Sequence, residues 1–368
     1  AMAMEKKLVT VHADLNPDRR LHSSGGQARS LYAELIKNMS TRTKPDGGAL
    51  GGVVEKFVGE ARNVARQTNR PAEDVIRERL NSLTEMVNGY DFAEVIACYC
   101  RGYEQGDEAL KADAVRWLRG EFSTKTDARK ALGVRTIVED AAFYDQLKLL
   151  ARFVRLAGYS GLLVNLDEMV NLYKLANTTT RTANYEQILR ILNDSLQGTS
   201  EGLGFVLGGT PPFLMDTRRG LYSYSALESR LRENDFAKAA GVEDYSGPVL
   251  RLASLSQEDF FVLLGKLRDV HAFNDPAKRR IPDEAIPKFM EHAAQRLGEE
   301  YFRTPRTTIT SFLNLLAVLE QAPDLDWRTL VDTSEIDKDA EQVGGDIEDA
   351  SPVTTAAGAD DDLASFKI

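Results

Sequence analysis

Apolar and polar positions along the chain follow two rhythms. In Leu8-Val9-Thr10-Val11-His12-Ala13-Asp14-Leu15, and again in Gly161-Leu162-Leu163-Val164-Asn165-Leu166-Asp167-Glu168, a short apolar run is bounded by turn residues. Such runs predict strands buried on both faces of a parallel sheet. Gly204-Phe205-Val206-Leu207-Gly208-Gly209-Thr210, stopped by Pro211-Pro212, predicts a third strand, and Pro248-Val249-Leu250-Arg251-Leu252 a fourth. Between about Leu50 and Ala157 apolar residues recur instead at helical spacing, predicting helices over 53–66, 72–88, 92–104, 107–119 and 128–132. Phe143, Leu147, Leu150 and Val154 mark a further amphipathic helix leading into the Gly161 run. Helices are also predicted over 27–38, 170–175, 185–197 and 226–234, with a polar loop over 177–184 and a basic loop at Thr217-Arg218-Arg219-Gly220. From Ser256 onward Ser256, Asp283 and Thr304-Pro305 open three more helices.

This alternation predicts an α/β protein: a three-layer core around a parallel sheet, with a large helical insertion and a C-terminal helical bundle. The expected boundaries are a first piece of the core at 1–49, the insertion at 50–157, the rest of the core at 158–254, the bundle at 255–330 and a tail at 331–368. The tail is acidic and rich in small residues, a composition that predicts disorder. Its last residues, Asp360-Asp361-Asp362-Leu363-Ala364-Ser365-Phe366-Lys367-Ile368, read either as a docking peptide or as a solvated terminus.

The middle strand carries the most chemistry. It ends on two adjacent carboxylates, Asp167 and Glu168, and charges at a strand's carboxyl end belong in the crevice where open α/β sheets bind ligands. An apolar strand followed by Asp-Glu is the pattern of a Walker B segment, in which Asp holds the Mg²⁺ of a nucleotide and Glu orients the attacking water. The same pair also suits an ordinary helix N-terminus, and both readings stand here. Asp14, ending the first strand, is a second candidate on the cofactor side. The order of elements fits the nucleotide-binding core of the AAA+ class followed by a helical lid. In that class Thr210 takes the place of the residue that senses the γ-phosphate, although ending a strand is its bland role. Arg230, with Arg218 and Arg219 as rivals, takes the place of the arginine that reaches a neighbouring subunit's nucleotide. Arg306 in Thr304-Pro305-Arg306 takes that of the lid arginine.

A phosphate-cradling GxxxxGK[ST] appears nowhere in the 368 residues. Gly265-Lys266 lies in a predicted helix, and the glycines between Gly47 and Gly52 have no Lys-Ser or Lys-Thr after them. The AAA+ order puts this loop before the Leu8 strand, so it is expected upstream of Ala1 or lost. Ala1-Met2-Ala3-Met4 itself reads as a cloning scar or as the end of a helix begun upstream.

Composition narrows the classes. Hydrophobic content of 43% and charged content of 28% are those of a globular protein, without a membrane span or signal peptide, and point to the cytoplasm. Cys98 and Cys100 have neither redox nor zinc spacing, and four scattered histidines make metal hydrolysis a poor fit. The net charge of −10 sits almost wholly after residue 331, where eleven acids face two lysines. The body is therefore near neutral and does not advertise a DNA-binding face. Lys278-Arg279-Arg280 is a local basic cluster suited either to phosphate or to plain solvation.

With these pieces placed, the chain resembles the ATP-binding proteins of bacteriophage-exclusion (BREX) loci and related stress or tellurite-resistance loci. The likeness rests on Asp14-Leu15-Asn16-Pro17-Asp18-Arg19-Arg20-Leu21-His22, Gly26-Gln27-Ala28-Arg29 and Leu31-Tyr32. It continues through Arg116-Trp117-Leu118-Arg119-Gly120-Glu121, Gly158-Tyr159-Ser160-Gly161-Leu162-Leu163-Val164, Asp167-Glu168, Ser223-Tyr224-Ser225-Ala226-Leu227 and Thr304-Pro305-Arg306. The resemblance implies an AAA+-like P-loop NTPase with ATP and Mg²⁺ as cofactors. It implies partners among the other subunits of a defence or stress complex, with DNA and a second copy of the chain as further options. The expected function is an ATP-hydrolysing subunit in which Asp167 holds Mg²⁺, Glu168 positions water, Thr210 senses the γ-phosphate and Arg306 closes the lid. The alternative is a non-catalytic scaffold of the same architecture.

Overall fold

Three parallel strands organise the chain in a computed structural model that describes residues 2–242, 244–297 and 305–333. Most of the predicted tail, with its Asp360–Ile368 motif, lies outside these residues, as does Thr304. Strands β1 (Leu8–Asp14), β2 (Gly161–Asp167) and β3 (Leu203–Leu207) pair in the order β1-β2-β3. The register sets Val9 beside Leu162, Val11 beside Val164, and Asp14 beside Asp167. It also sets Leu162 beside Leu203 and Val164 beside Phe205.

A one-turn helix α1 (Met2–Glu5) precedes β1, and α2 (Gln27–Lys37) follows it. Then come α3 (Leu50–Thr68), α4 (Ala72–Leu80), α5 (Gly89–Gln105), α6 (Glu108–Leu118), α7 (Lys125–Leu132) and α8 (Phe143–Leu156). These helices share one hydrophobic core with the sheet. Phe57 and Phe92 meet Phe153 of α8 with ring centroids 5.2 and 5.3 Å apart, and Phe92 also packs edge-on against Trp117. Trp117 is 1% exposed, and its indole N–H donates to the Thr136 carbonyl at 2.7 Å, as a buried indole must. After β2 come α9 (Val170–Tyr173) and α10 (Thr178–Gln197), and after β3 come α11 (Pro211–Met215), α12 (Ser225–Leu231) and α13 (Asp235–Ala240).

The strands are not buried on both faces as their apolar runs predict. Val9, Val11, Ala13, Leu162, Val164 and Leu166 are buried. On the alternate positions Thr10, Leu163 and Asn165 are half-buried, His12 is exposed and Val206 is 55% exposed. The two edges differ as well. Ser40 exchanges backbone hydrogen bonds with Thr10 at 2.8 and 3.0 Å and closes the β1 edge. No strand pairs with the outer edge of β3 among the described residues.

Two further expectations change. The polar stretch 177–184 is the start of α10, capped by the Asn177 carboxamide, which accepts from the Thr180 N–H at 2.9 Å. Its polar residues disguised the helix because Arg181 and Asn184 turn inward. Asn184 Oδ1 accepts from the His22 N–H at 2.9 Å, and Asn184 Nδ2 donates to the His22 carbonyl at 3.2 Å. Pro248 to Leu252 forms no strand, for Pro248 brings no N–H to a ladder and Leu250 and Leu252 are 60% and 96% exposed.

The chain divides into units 1–249 and 250–368. In the second, α14 (Gln257–His271), α15 (Ala285–Leu297), α16 (Pro305–Gln321) and α17 (Trp327–Thr333) pack around Phe260, Leu264, Ile286, Phe289, Phe312 and Leu316. A capping box between Ser256 and Asp259 starts α14. The Arg268 guanidinium, in a residue 4% exposed, is neutralised by Asp283 at 2.7 Å and Asp269 at 3.4 Å.

Candidate functional site

The carboxyl ends of the three strands meet in one hydrogen-bonded rim. Leu15 N–H donates to the Asp167 carbonyl at 3.0 Å, tying the end of β1 to β2. Met169 N–H donates to the Gly208 carbonyl at 3.0 Å, tying β2 to the end of β3. Asp167 Oδ1 accepts from the Glu168 N–H at 2.8 Å. Glu168 has φ 55, a left-handed conformation that a residue with a Cβ adopts at a cost. Gly208 leaves room for the Asp167 carboxylate in this position, which a Cβ there would force to shift. At Gly209 a Cβ would stand 2.7 Å from the Phe213 ring.

Three of the predicted residues come together here. Asp14 and Asp167 are register partners, both exposed, and Glu168 follows directly, exposed as well. Thr210 lies three residues beyond β3, exposed, at the start of α11, where Pro211 and Pro212 form the first turn of a helix as well as ending the strand.

The arginines divide. Arg218 is exposed, and its backbone N–H donates to Asp216 at 2.7 Å. Arg219 is half-buried, and its guanidinium donates to the Tyr173 and Leu175 carbonyls at 3.3 and 3.4 Å, at the last residue of α9 and two residues beyond it. Arg181 supports the same carbonyl of Leu175 at 2.6 Å. Asp216 anchors this loop: backbone N–H groups of Arg218 and Arg219 and the Tyr173 hydroxyl hold its carboxyl below the usual range. Arg230 is exposed and reaches back to the Ala226 carbonyl of its own helix at 2.7 Å. Arg306 is exposed in the first turn of α16, in the other unit.

A sequence model of the family described as BREX system ATP-binding protein BrxC/D matches residues 1–335. The chain belongs to that family. No curated protein and no solved structure matches it. The family's description makes ATP binding the property of interest and implies other BREX subunits as partners. No helix among the described residues is long and apolar enough to cross a membrane.

The described residues contain no cluster of three or more His, Cys, Asp or Glu able to cage a metal. Cys98 and Cys100 are buried and unpaired, and burial pushes the Cys100 thiol up to about 11, which makes it unreactive. The Lys278-Arg279-Arg280 cluster is largely neutralised: Lys278 faces Asp275 at 3.8 Å and Arg279 faces Asp269 at 2.8 Å.

Residue-type reasoning missed Asn171. Its side-chain N–H₂ donates to the Leu15 carbonyl at 2.8 Å and to the Glu168 carbonyl at 3.2 Å, bridging two strand ends. The signal available was its place three residues after the Asp-Glu pair, within reach of the turn. Asp140 was also missed. It accepts from the Ser23 hydroxyl and from the Gly26 and Arg29 N–H groups, pinning the start of α2.

Proposed function

We propose that the chain supplies the Walker B portion of an AAA+ ATPase core that serves a BREX complex. The observation that carries this reading is the pairing of Asp14 with Asp167 at the strand ends, both exposed, with Glu168 held beside them. Asp167, assisted by Asp14, would hold the magnesium ion of bound ATP. Oxygen donors in this number fit a cation that keeps most of its remaining sites for phosphate and water. Bound MgATP would bring the electrophilic phosphorus and neutralise its own phosphate charge through the cation. Glu168 would orient the attacking water, Thr210 would donate its hydroxyl toward the γ-phosphate, and Arg306 would act from the lid. Arg230 and Arg218 are the arginines left to act on a neighbouring subunit, Arg219 being engaged by backbone carbonyls. The β3 edge, unpaired among the described residues, is where a strand carrying the phosphate-binding loop would pair.

The test is Glu168→Gln in the full-length gene product. ATP binding should persist while hydrolysis falls about 100-fold or more, since a neutral amide cannot polarise the water. A second reading, a non-catalytic scaffold, draws on the missing GxxxxGK[ST] in these 368 residues. Unchanged hydrolysis would remove Glu168 from the mechanism, whereas no hydrolysis by either protein would favour the scaffold.

A further inference from the structure

We propose that Asn171 is a positioning residue that locks Glu168 in its left-handed conformation. The catalytic consequence rests on the ATPase reading above; the lock itself does not.

Most other left-handed side chains close a helix; the exception, Asn88, stands at the N-cap of α5, and Lys7 lies two residues past α1. Asn69, Phe273 and Asn274 lie just past the ends of α3 and α14, where such residues close a helix. Glu168 instead follows a strand and precedes the short helix α9, so no helix end demands its φ of 55. Something local must hold it.

Both peptide groups of Glu168 are occupied. Its N–H donates to Asp167 Oδ1 at 2.8 Å. Its carbonyl accepts twice from one residue, at 3.0 Å from the Asn171 backbone N–H and at 3.2 Å from Asn171 Nδ2. The same Nδ2 also donates to the Leu15 carbonyl at 2.8 Å, and Leu15 N–H donates to the Asp167 carbonyl at 3.0 Å. The result is a closed ring through Leu15, Asp167, Glu168 and Asn171, fastened to β1. Relaxing Glu168 to a negative φ would rotate its carbonyl away from Asn171 and leave the amide with one partner. A carboxamide is required here because the bridge uses two donor hydrogens on one nitrogen. Aspartate has the same shape and no such donor.

The lock is read by a double-mutant cycle on thermal unfolding of the full chain, which needs no nucleotide. Glu168→Gly should raise the unfolding midpoint, because glycine adopts this conformation freely. In an Asn171→Ala background, where Glu168 can relax, that gain should shrink by at least about half. Equal gains in both backgrounds, or no gain in the unmodified chain, would overturn the lock.

In the full-length protein, with Glu168→Gln as the reference for turnover, Asn171→Ala should lower kcat about tenfold while KM for ATP stays within about twofold. Asn171→Asp should be at least as damaging. Unchanged kcat, or a rise in KM alone, would overturn the positioning role. If Glu168→Gln itself left turnover intact, the ATPase reading would fail while the stability cycle still decided whether Asn171 holds the turn.

Discussion

The helical stretch from α3 to α8 and the rim at the strand ends use their charged groups in opposite ways. In the helical stretch most charges have a partner. Glu73 is shared by Arg77 at 2.7 Å and Arg101 at 3.0 Å, and Glu94 takes a second bond from Arg77 at 2.7 Å. Asp91, buried, accepts from the Arg135 and Thr136 N–H groups and from the Thr136 hydroxyl. At the rim, the side chains of Asp14 and Glu168 have no ion-pair or hydrogen-bond partner among the described residues, and Glu168 sits in a conformation that costs stability. Charges that are paired internally hold a fold. Charges left open on a strained turn at the ends of parallel strands remain available to a ligand.

That contrast can be broken at either end. The largest effect is expected from Trp117→Ala, which empties a fully buried site and removes the bond to Thr136. It should cost about 3–5 kcal/mol in denaturant unfolding. Glu168→Gln should do the reverse, leaving the unfolding midpoint where it was while turnover collapses. A large stability loss from Glu168→Gln would erase the distinction between the two regions. Gly208→Ala probes the boundary, since its Cβ collides with the Asp167 carboxylate. It should cost about 1–3 kcal/mol and also weaken magnesium-dependent nucleotide binding, as read by titration at several metal concentrations.

The smallest effect is a pH dependence. Burial alone would raise the carboxyl of Asp140, but the Ser23 hydroxyl and the Arg29 and Gly26 N–H groups outweigh it and hold it below the usual range. Its contribution is therefore full above the unfolded carboxylate pKa of about 4 and is lost as pH falls through the lower folded value. Asp140→Asn should flatten the loss of stability below about pH 4 without altering its course near neutrality. An unchanged acid limb in urea unfolding would remove Asp140 from the account.

Much of this was legible in the residues. Three strands, the helix leading into β2 and the Asp-Glu pair were all announced by runs and spacing, because burial dictates those patterns locally. The ends of elements were less legible. The opening turns of α10 look like a loop because Arg181 and Asn184 are polar yet face inward, Arg181 toward the Leu175 carbonyl and Asn184 toward His22, far away in sequence. The sheet's open face was invisible because apolar strands look alike whether covered on one side or two. The sequence signals the carboxylates of the site but not the means of holding them. Asn171 and Gly208 acquire their roles only when three strand ends converge, and neither carries a distinctive local pattern.

The most direct test of the central claim is a calorimetric titration of MgATP into the full-length gene product and its Asp167→Asn variant, with and without magnesium. If the rim holds the metal-bound nucleotide, the unmodified protein binds ATP more tightly with magnesium, and Asp167→Asn abolishes that difference, weakening MgATP binding about tenfold or more. Equal binding by both proteins, or the same affinity with and without magnesium, would contradict the assignment and leave the strand ends as inherited architecture.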